Sequence, residues 1–325
     1  MGGDLGATAT VPAVVHFLCG NPDVRILLFG DEPELRGRLR ARALDERLQL
    51  IHCPQRVESG DRPAHALRHK RESSMWRALA AVAEGRAAAC VSAGETGTLM
   101  AMGITALGTL PGIERPAICA ALPTDSGRVY LLDLGANVDC DGDKLHQFAR
   151  MGVARLQVAE QLPAPRVALL NVGAESGKGN RAVKSAAQLL AADTTLHFVG
   201  FVEGDALLRG TADLVVCDGF AGNVALKAIE GAARVFGERL RAAGRSLSGW
   251  RRWLARPVLE SALGFLDPAQ YNGASLLGLR GVVVKSHGGA ERVGFGHALT
   301  VALAEARGGL PDRIALRLTA ATSGR

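Results

Sequence analysis

Eight short apolar runs, separated by stretches of helical spacing, constrain this chain more than any other feature. Val24–Phe29, Ala87–Val91, Ala117–Leu122, Val129–Asp133, Val167–Asn171, Leu196–Val199, Leu214–Cys217 and Val282–Lys285 read as strands. The Ala/Leu/Arg/Glu segments between them, Met75–Glu84 and Ala182–Ala191 among others, read as helices. Such a βαβα alternation predicts an α/β protein of three layers, a mostly parallel sheet covered by helices on both faces. Pro123-Thr-Asp-Ser-Gly127 is turn-rich and predicts a hairpin between the runs it joins. Hydrophobic residues make up 48% and aromatics only 4%, with 40 glycines, which favours a core of Ala, Val and Leu over an aromatic-rich β-sandwich. No linker or internal repeat divides the 325 residues, so a single bilobed domain over 1–325 is expected.

Charge and cysteine usage exclude several classes. The net charge of +6 is modest, and the mixed segment from Glu34 to Glu46 reads as a solvated helix face rather than a nucleic-acid patch. Six dispersed cysteines form no C-x-x-C pair. Cys90, Cys119 and Cys217 lie in apolar runs and read as small core residues. With no signal peptide read at the start, a reducing cytoplasm is expected. The eight histidines show no metal spacing, and there is no G-x-S-x-G nucleophile elbow. Gly173-Ala-Glu-Ser-Gly-Lys-Gly179 is one residue short of a nucleotide P-loop and has glycine where that motif needs Ser or Thr. Gly294-Phe-Gly296 is too short for a dinucleotide fingerprint, and Asp139-Cys-Asp-Gly-Asp143 reads as a polar turn rather than a calcium loop.

Two strand–turn–helix units carry chemistry. Leu214–Cys217 runs into Asp218-Gly219, then Gly222-Asn223, and a helix bearing Lys227 follows. Val167–Leu170 runs into the glycine-lysine turn from Asn171 to Asn180. Backbone N–H groups and the positive end of a helix dipole face whatever sits on such turns, so both suit an anion, and phosphate above all.

Taken with further pieces, these turns carry a family resemblance. Met1-Gly-Gly-Asp4, Leu67-Arg-His-Lys-Arg-Glu-Ser-Ser-Met75, Ser92-Ala-Gly-Glu-Thr-Gly97, Asp133-Leu-Gly-Ala-Asn-Val-Asp139, Phe198-Val-Gly-Phe-Val-Glu-Gly204, Leu276-Leu-Gly-Leu279 and Lys285-Ser-His-Gly288 occur in order along almost the whole chain. Together they resemble the bacterial acyl-acyl-carrier-protein:phosphate acyltransferases. That resemblance implies an isocitrate/isopropylmalate dehydrogenase-like fold with a protruding helical hairpin, here at about 235–268. It also implies transfer of a fatty acyl group from acyl carrier protein to inorganic phosphate, with no cofactor and no metal. The implied partners are the carrier protein, phosphate, a second copy of the chain and the membrane glycerol-3-phosphate acyltransferase, reached by peripheral contact with the inner face of the membrane. Nucleic acid is not among them.

Phosphate is itself the nucleophile in that reaction, so the absence of a nucleophile elbow is consistent with it. For the phosphate cradle the expected residues are Lys178, Asn223 and Lys227, with backbone from Gly177, Gly179 and Gly222; the motif turns add Ser92, Gly94 and Lys285. His287 is expected as general acid/base or oxyanion donor, and Asp218 and Asn137 as groups that orient lysines or phosphate. Satisfied structural roles stand beside these, a core or turn histidine for His287 and turn capping for Asp218 and Asn137. Lys178→Ala or His287→Ala is then expected to abolish acyl phosphate formation. Trp250, Trp253 and Leu254 read either as packing residues at a dimer contact or as an amphipathic tip for anionic lipid.

The chain departs from the pattern at several places. Glu95 stands where the Ser-Ala-Gly motif has asparagine, and so either weakens phosphate binding or pairs with a lysine. Ala7 replaces proline, Phe201 replaces asparagine, Asp205 stands where arginine follows Glu203-Gly204, and Asn272 and Ser275 alter the turn before Leu276. The pattern also has a short apolar strand before Met1-Gly-Gly-Asp4, so that either the start is misassigned or a strand of the sheet is lacking. The alternatives are a phosphotransacetylase-like enzyme using coenzyme A thioesters, a metal- and nicotinamide-dependent dehydrogenase, and a non-catalytic relative that binds carrier protein or membrane.

Overall fold

The structure is a computed structural model that describes residues 2–39, 46–125, 127–175, 177–265 and 268–322. Met1, residues 40–45 of the charged segment, Ser126 of the hairpin turn, Ser176 of the glycine-lysine turn and residues 266–267 of the expected helical tip lie outside it. In chain order the elements are α1 (Ala7–Gly20), β1 (Ile26–Gly30), α2 (Glu32–Arg38), β2 (Leu48–His52), α3 (Pro63–His69), α4 (Ser74–Ala83), β3 (Ala89–Ser92), α5 (Thr96–Leu107), β4 (Ala117–Thr124) and β5 (Gly127–Leu132). They continue as α6 (Gly142–Ala159), β6 (Arg166–Leu170), α7 (Arg181–Ala192), β7 (His197–Val202), β8 (Leu214–Val216), α8 (Gly219–Ser246), α9 (Gly249–Phe265), β9 (Ala274–Leu277), β10 (Val282–Lys285), α10 (Arg292–Arg307) and α11 (Leu310–Thr322).

All eight expected strands form, with ends shifted by at most three residues. Two more were not legible. β2 is half-exposed, and β9 is only four residues long and carries Ser275. Six helices start where the sequence supplies an oxygen for the orphan first-turn amides: Asp31, Ser73, Glu95, Asp141, Asn180 and Asp218 each accept a backbone N–H at a helix N-terminus.

Strand order in the main sheet is β3-β10-β9-β4-β5-β8-β6-β7, and β1 and β2 form a separate parallel pair. The expected hairpin is there, with β4 and β5 antiparallel from Cys119–Leu132 to Thr124–Gly127. Parallel pairing holds in two outer blocks, β3-β10 and β5-β8-β6-β7, but the three pairings between them are antiparallel. The blocks therefore point in opposite directions, a refinement of the mostly parallel sheet expected. Through the ladder Lys285 faces Ala274, the neighbour of Ser275 that pairs with Cys119. Lys285 thus stands level with Leu131, two residues from Asp133, so the carboxyl ends of the two blocks meet at one height from opposite sides.

Alternate strand residues feed two cores. Cys119, Tyr130, Leu132, Val167, Leu169 and Val216 pack under α6, α7 and α11. Ile118, Leu131, Ala168, Val215 and Val283 pack against α4, α5 and α8. Burial on both faces explains why the strands read as continuous apolar runs. One ion pair crosses the first core: Arg155 of α6 donates to Glu305 of α10 at 3.0 Å, both almost fully buried, with Tyr130 4.3 Å below the guanidinium and Ser275 donating to the same carboxylate. Burial raises the Glu305 carboxyl pKa, against the pull of Arg155. The cysteines expected in the core are there, and burial pushes the Cys90 and Cys119 thiols up to about 12.

Candidate active site

Three remote motif segments meet at the ends of β3 and β10. Ser92 pairs in register with Lys285, and Ser286 donates its N–H to the Ser92 carbonyl at 2.9 Å. The Gly2–Asp4 turn lies on top of them. A Cβ on Gly2 would stand 2.8 Å from the Gly94 nitrogen, and one on Gly3, at φ +84°, 2.7 Å from the Gly288 oxygen. Both positions therefore need glycine. Asp4 closes the contact, donating its N–H to Gly288 at 2.8 Å.

Lys285 is the titratable centre of this group. Its Nζ donates to the carbonyls of Ala93 and Ser286. Burial lowers its pKa to about 8, opposed by the carboxylates of Glu95 and Asp4 and assisted by Lys227. Glu95 itself caps α5, accepting from Gly97 N at 2.9 Å and Thr98 N at 2.5 Å. Although burial raises its pKa, those bonds and the charge of Lys285 outweigh that and hold the carboxyl below the usual range. Glu95 is thus an internal anion on the α5 N-terminus, near the lysine but with its hydrogen bonds on the helix.

His287 lies just past Lys285 and is exposed. Its backbone N–H donates to Asn272 Oδ1 at 2.8 Å, and its Nδ1 accepts from Gly289 N at 3.1 Å. In the neutral ring that bond leaves the proton on Nε2, free to donate outward. Asn272 also donates to Ser286 Oγ at 2.8 Å and to the Gly294 carbonyl at 2.7 Å. It ties β10, α10 and the His287 turn together. Nothing in the sequence marks Asn272 as more than a departure from the pattern.

A second group forms at the ends of β5 and β8. Asp133 is fully buried and accepts from Ile118 N, Ala136 N, Asn137 N and Asn137 Nδ2; burial nonetheless raises its pKa. Asn137 donates to Pro116 O as well, while its buried Oδ1 has no partner among the described residues. Gly219 donates to the Asn137 carbonyl at 2.7 Å, and a Cβ on Gly222 would collide with the Asp133 carbonyl. α8 can approach β5 this closely only with glycine there. Asp218 caps α8 through Ala221 N at 2.7 Å. Asn223 is exposed, its side chain against Gly135. Lys227 is exposed too and paired with Glu230 at 2.7 Å.

The glycine-lysine turn stands apart from the first group. β6 is five strand positions from β10, roughly 24 Å at the usual strand spacing. Asn171 braces the turn by donating to Gly173 O and Lys178 O, and Gly179, at φ +95°, presses on it. Gly177 faces open space. Lys178 is exposed and paired with Glu175 of its own turn at 2.9 Å. The structure therefore brings Ser92, Gly94, Lys285 and His287 together, places Asn137, Asp218, Gly222 and Asn223 as a second group, and keeps Lys178 away from the first, on β6 beside β8. Asp133, which organises the second group, was legible as the last residue of a strand and the first of a motif, but not as a site residue.

This architecture is that of the phosphotransacetylase-like α/β folds. A phosphotransacetylase from Staphylococcus aureus has a TM-score of 0.59 at 18% identity, over 90% of this chain and 89% of its own. A branched-chain phosphotransacylase from Enterococcus faecalis matches equally well at 17% identity, over 93% and 97%. A 4-hydroxythreonine-4-phosphate dehydrogenase from Klebsiella pneumoniae follows, with TM-score 0.53 at 14% identity over 92% and 96%. The chain belongs to the fatty acid synthesis protein family, whose profile matches residues 1–313. Among its relatives are the phosphate acyltransferases of Saccharophagus degradans, 50% identical over 98% of this chain and 94% of that protein, and Methylococcus capsulatus, 48% identical over 98% and 95%.

Proposed function

We propose that the protein is a phosphate acyltransferase that moves a fatty acyl group from acyl carrier protein to inorganic phosphate. A phosphate oxygen attacks the thioester carbonyl, the tetrahedral oxyanion collapses, the C–S bond breaks, and acyl phosphate and the carrier thiol leave. The observation that carries this reading is the half-buried Lys285 held among the Ser92–Glu95, Gly2–Asp4 and Gly288 segments. In this site Lys285, Ser92 and the Gly94 backbone hold phosphate, and His287 Nε2–H serves the oxyanion or the leaving sulfur. Asn137, Asp218, Gly222 and Asn223 form the opposite wall and Lys227 adds positive field from α8. Lys178, with Gly177 and Gly179, lies at the end of β6, the neighbour of β8, and adds positive field on the side of the second group once it leaves Glu175, a cheap exchange for an exposed pair. No cofactor enters.

The wider proposal includes the isocitrate/isopropylmalate dehydrogenase-like lineage of the fold and a cytoplasmic enzyme that works as a homodimer. It meets the acidic carrier protein, and it hands product to a membrane glycerol-3-phosphate acyltransferase. No described helix is long and apolar enough to cross a membrane. The far part of α8 and α9 exposes Val235, Phe236, Trp250, Trp253, Leu254 and Val258, with Arg251 beside Trp250, which suits a hairpin tip on an anionic bilayer. Replacing Trp250, Trp253 and Leu254 by Ser is expected to weaken binding to anionic vesicles at least tenfold in a flotation assay; unchanged binding removes the membrane contact.

The test of the activity is thiol release from long-chain acyl carrier protein with and without phosphate, trapping acyl phosphate as its hydroxamate. Phosphate-dependent release is expected. Release only from acyl-coenzyme A would assign a phosphotransacetylase-like donor instead, and no release from folded protein would leave a binding protein.

A further inference from the structure

The chain has six lysines. Four are paired with carboxylates: Lys70 with Asp61, Lys144 with Glu114, Lys178 with Glu175 and Lys227 with Glu230. Lys184 is exposed on α7. Lys285 is held differently. Its Nζ donates to two uncharged groups, the carbonyl of Ala93 at 3.4 Å and that of Ser286, where the half-buried side chain lies at the paired ends of β3 and β10.

Those two carbonyls decide what an incoming molecule meets. An ammonium has three N–H groups, whereas a neutral amine has two and a lone pair in the third place. The backbone takes two hydrogens in either form. The third place is left for whatever enters the site: an N–H for a phosphate oxygen when the lysine is charged, a nucleophilic lone pair when it is not. A lysine drawn out of water visits the neutral form readily. Burial lowers the Lys285 pKa to about 8, so roughly a tenth of the side chain is uncharged at pH 7. Around it, Glu95 at the start of α5 and Asp4 of the turn before α1 favour the ammonium, and Lys227 of α8 disfavours it. His287, two residues along, is exposed with its Nδ1 on Gly289 N.

The substrate class rests on the reading of the site as one that makes acyl phosphate, because such a product carries a reactive carbonyl directly bonded to a phosphate oxygen. We propose that Lys285 is a self-acylation site, at which Nζ captures the acyl group of an acyl phosphate seated in the phosphate cradle. The neutral amine attacks the acyl carbon, and the bond from that carbon to the phosphate oxygen breaks. Phosphate leaves with the bonding electrons and takes one amine proton, so that an amide forms on Nζ and nothing else is consumed. An amide nitrogen carries no charge, and the cradle loses its cation. Product that stays in the site therefore closes it. Bound inorganic phosphate favours the ammonium and protects the lysine.

Acetyl phosphate is the probe, applied to the full chain between pH 7 and pH 9 with and without saturating inorganic phosphate. Acetylation of each of the six lysines is followed by peptide mass spectrometry. At pH 8 Lys285 is expected to react at least tenfold faster than the exposed Lys184, with phosphate suppressing the reaction at Lys285 alone. Lys285 reacting no faster than Lys184, or equally fast in the presence of phosphate, overturns the assignment. Thiol release from acyl carrier protein, measured on the same preparation, separates the two ways of failing. Turnover with Lys285 left unmodified sinks self-acylation and leaves the acyltransferase intact. Selective, phosphate-protected acetylation without turnover supports the reactive amine and removes the acyltransferase.

Discussion

The chain carries two lysine-bearing turns at strand ends, and they differ in every respect that matters for chemistry. The Lys178 turn is local: its bracing Asn171, its ion-pair partner Glu175 and its glycines come from one stretch of ten residues, and the lysine is exposed. The Lys285 site draws on residues 2–4, 92–95, 272 and 285–289, and its lysine is half-buried with its ammonium on carbonyls. Charge in a site removed from water acts more strongly than charge on a surface turn. On the proposed reading, the turn that looks most like a phosphate loop in the sequence is therefore the weaker site. The stronger one is hidden by the distance between its parts.

The largest effect should come from Lys285→Met, which is expected to lower kcat/KM for phosphate about 100- to 1000-fold, as losing a preorganised donor does. Its pH signature sharpens the comparison. With its pKa lowered to about 8, Lys285 is charged below that pH, so the phosphate KM should rise as pH passes through 8 in the wild type and not in the Met variant. Its sign on stability is the reverse: the burial cost is in full force below 8 and is relieved between 8 and the unfolded value, so stability rises there. Next in size is Asn272→Ala. Losing the bond to the His287 backbone should cut kcat about 10- to 100-fold by misplacing the ring, with a stability loss of only about 1 kcal/mol in urea titration. Glu95→Asn keeps a good helix cap but removes the internal anion, and should lower the phosphate KM about fivefold. The smallest effect is expected at Lys178→Ala, under about fivefold in kcat/KM, because an exposed pair contributes little. A Lys178→Ala loss as large as that of Lys285→Met would break the comparison and return the phosphate to the glycine-lysine turn.

Much of the fold was legible because strands buried on both faces must be apolar and helices must be capped, and both demands are local. Two strands escaped for local reasons too: β2 is half-exposed, and β9 carries the Ser275 hydroxyl that serves Glu305 from across the core. The site was legible in pieces. Gly94, Lys285 and His287 were singled out by their motifs, but Asn272, seen only as a departure, and Asp133, seen only as part of a motif, gave no sign of their roles, since their work is to hold segments that only the fold brings near. The reversal of strand direction in the middle of the sheet was equally silent, because a strand's sequence does not record the polarity of its neighbour.

By itself, then, the sequence determined the three-layer α/β class, the helix starts, the two candidate anion turns and the cysteine core, all consequences of short-range burial and hydrogen bonding. Tertiary structure alone decided that Lys285 is drawn partly out of water and Lys178 is not, that Glu95 spends its charge on α5, and that β1 and β3 line a common cavity. Those outcomes depend on which distant segments exclude water from one another, and that is a property of the assembled sheet.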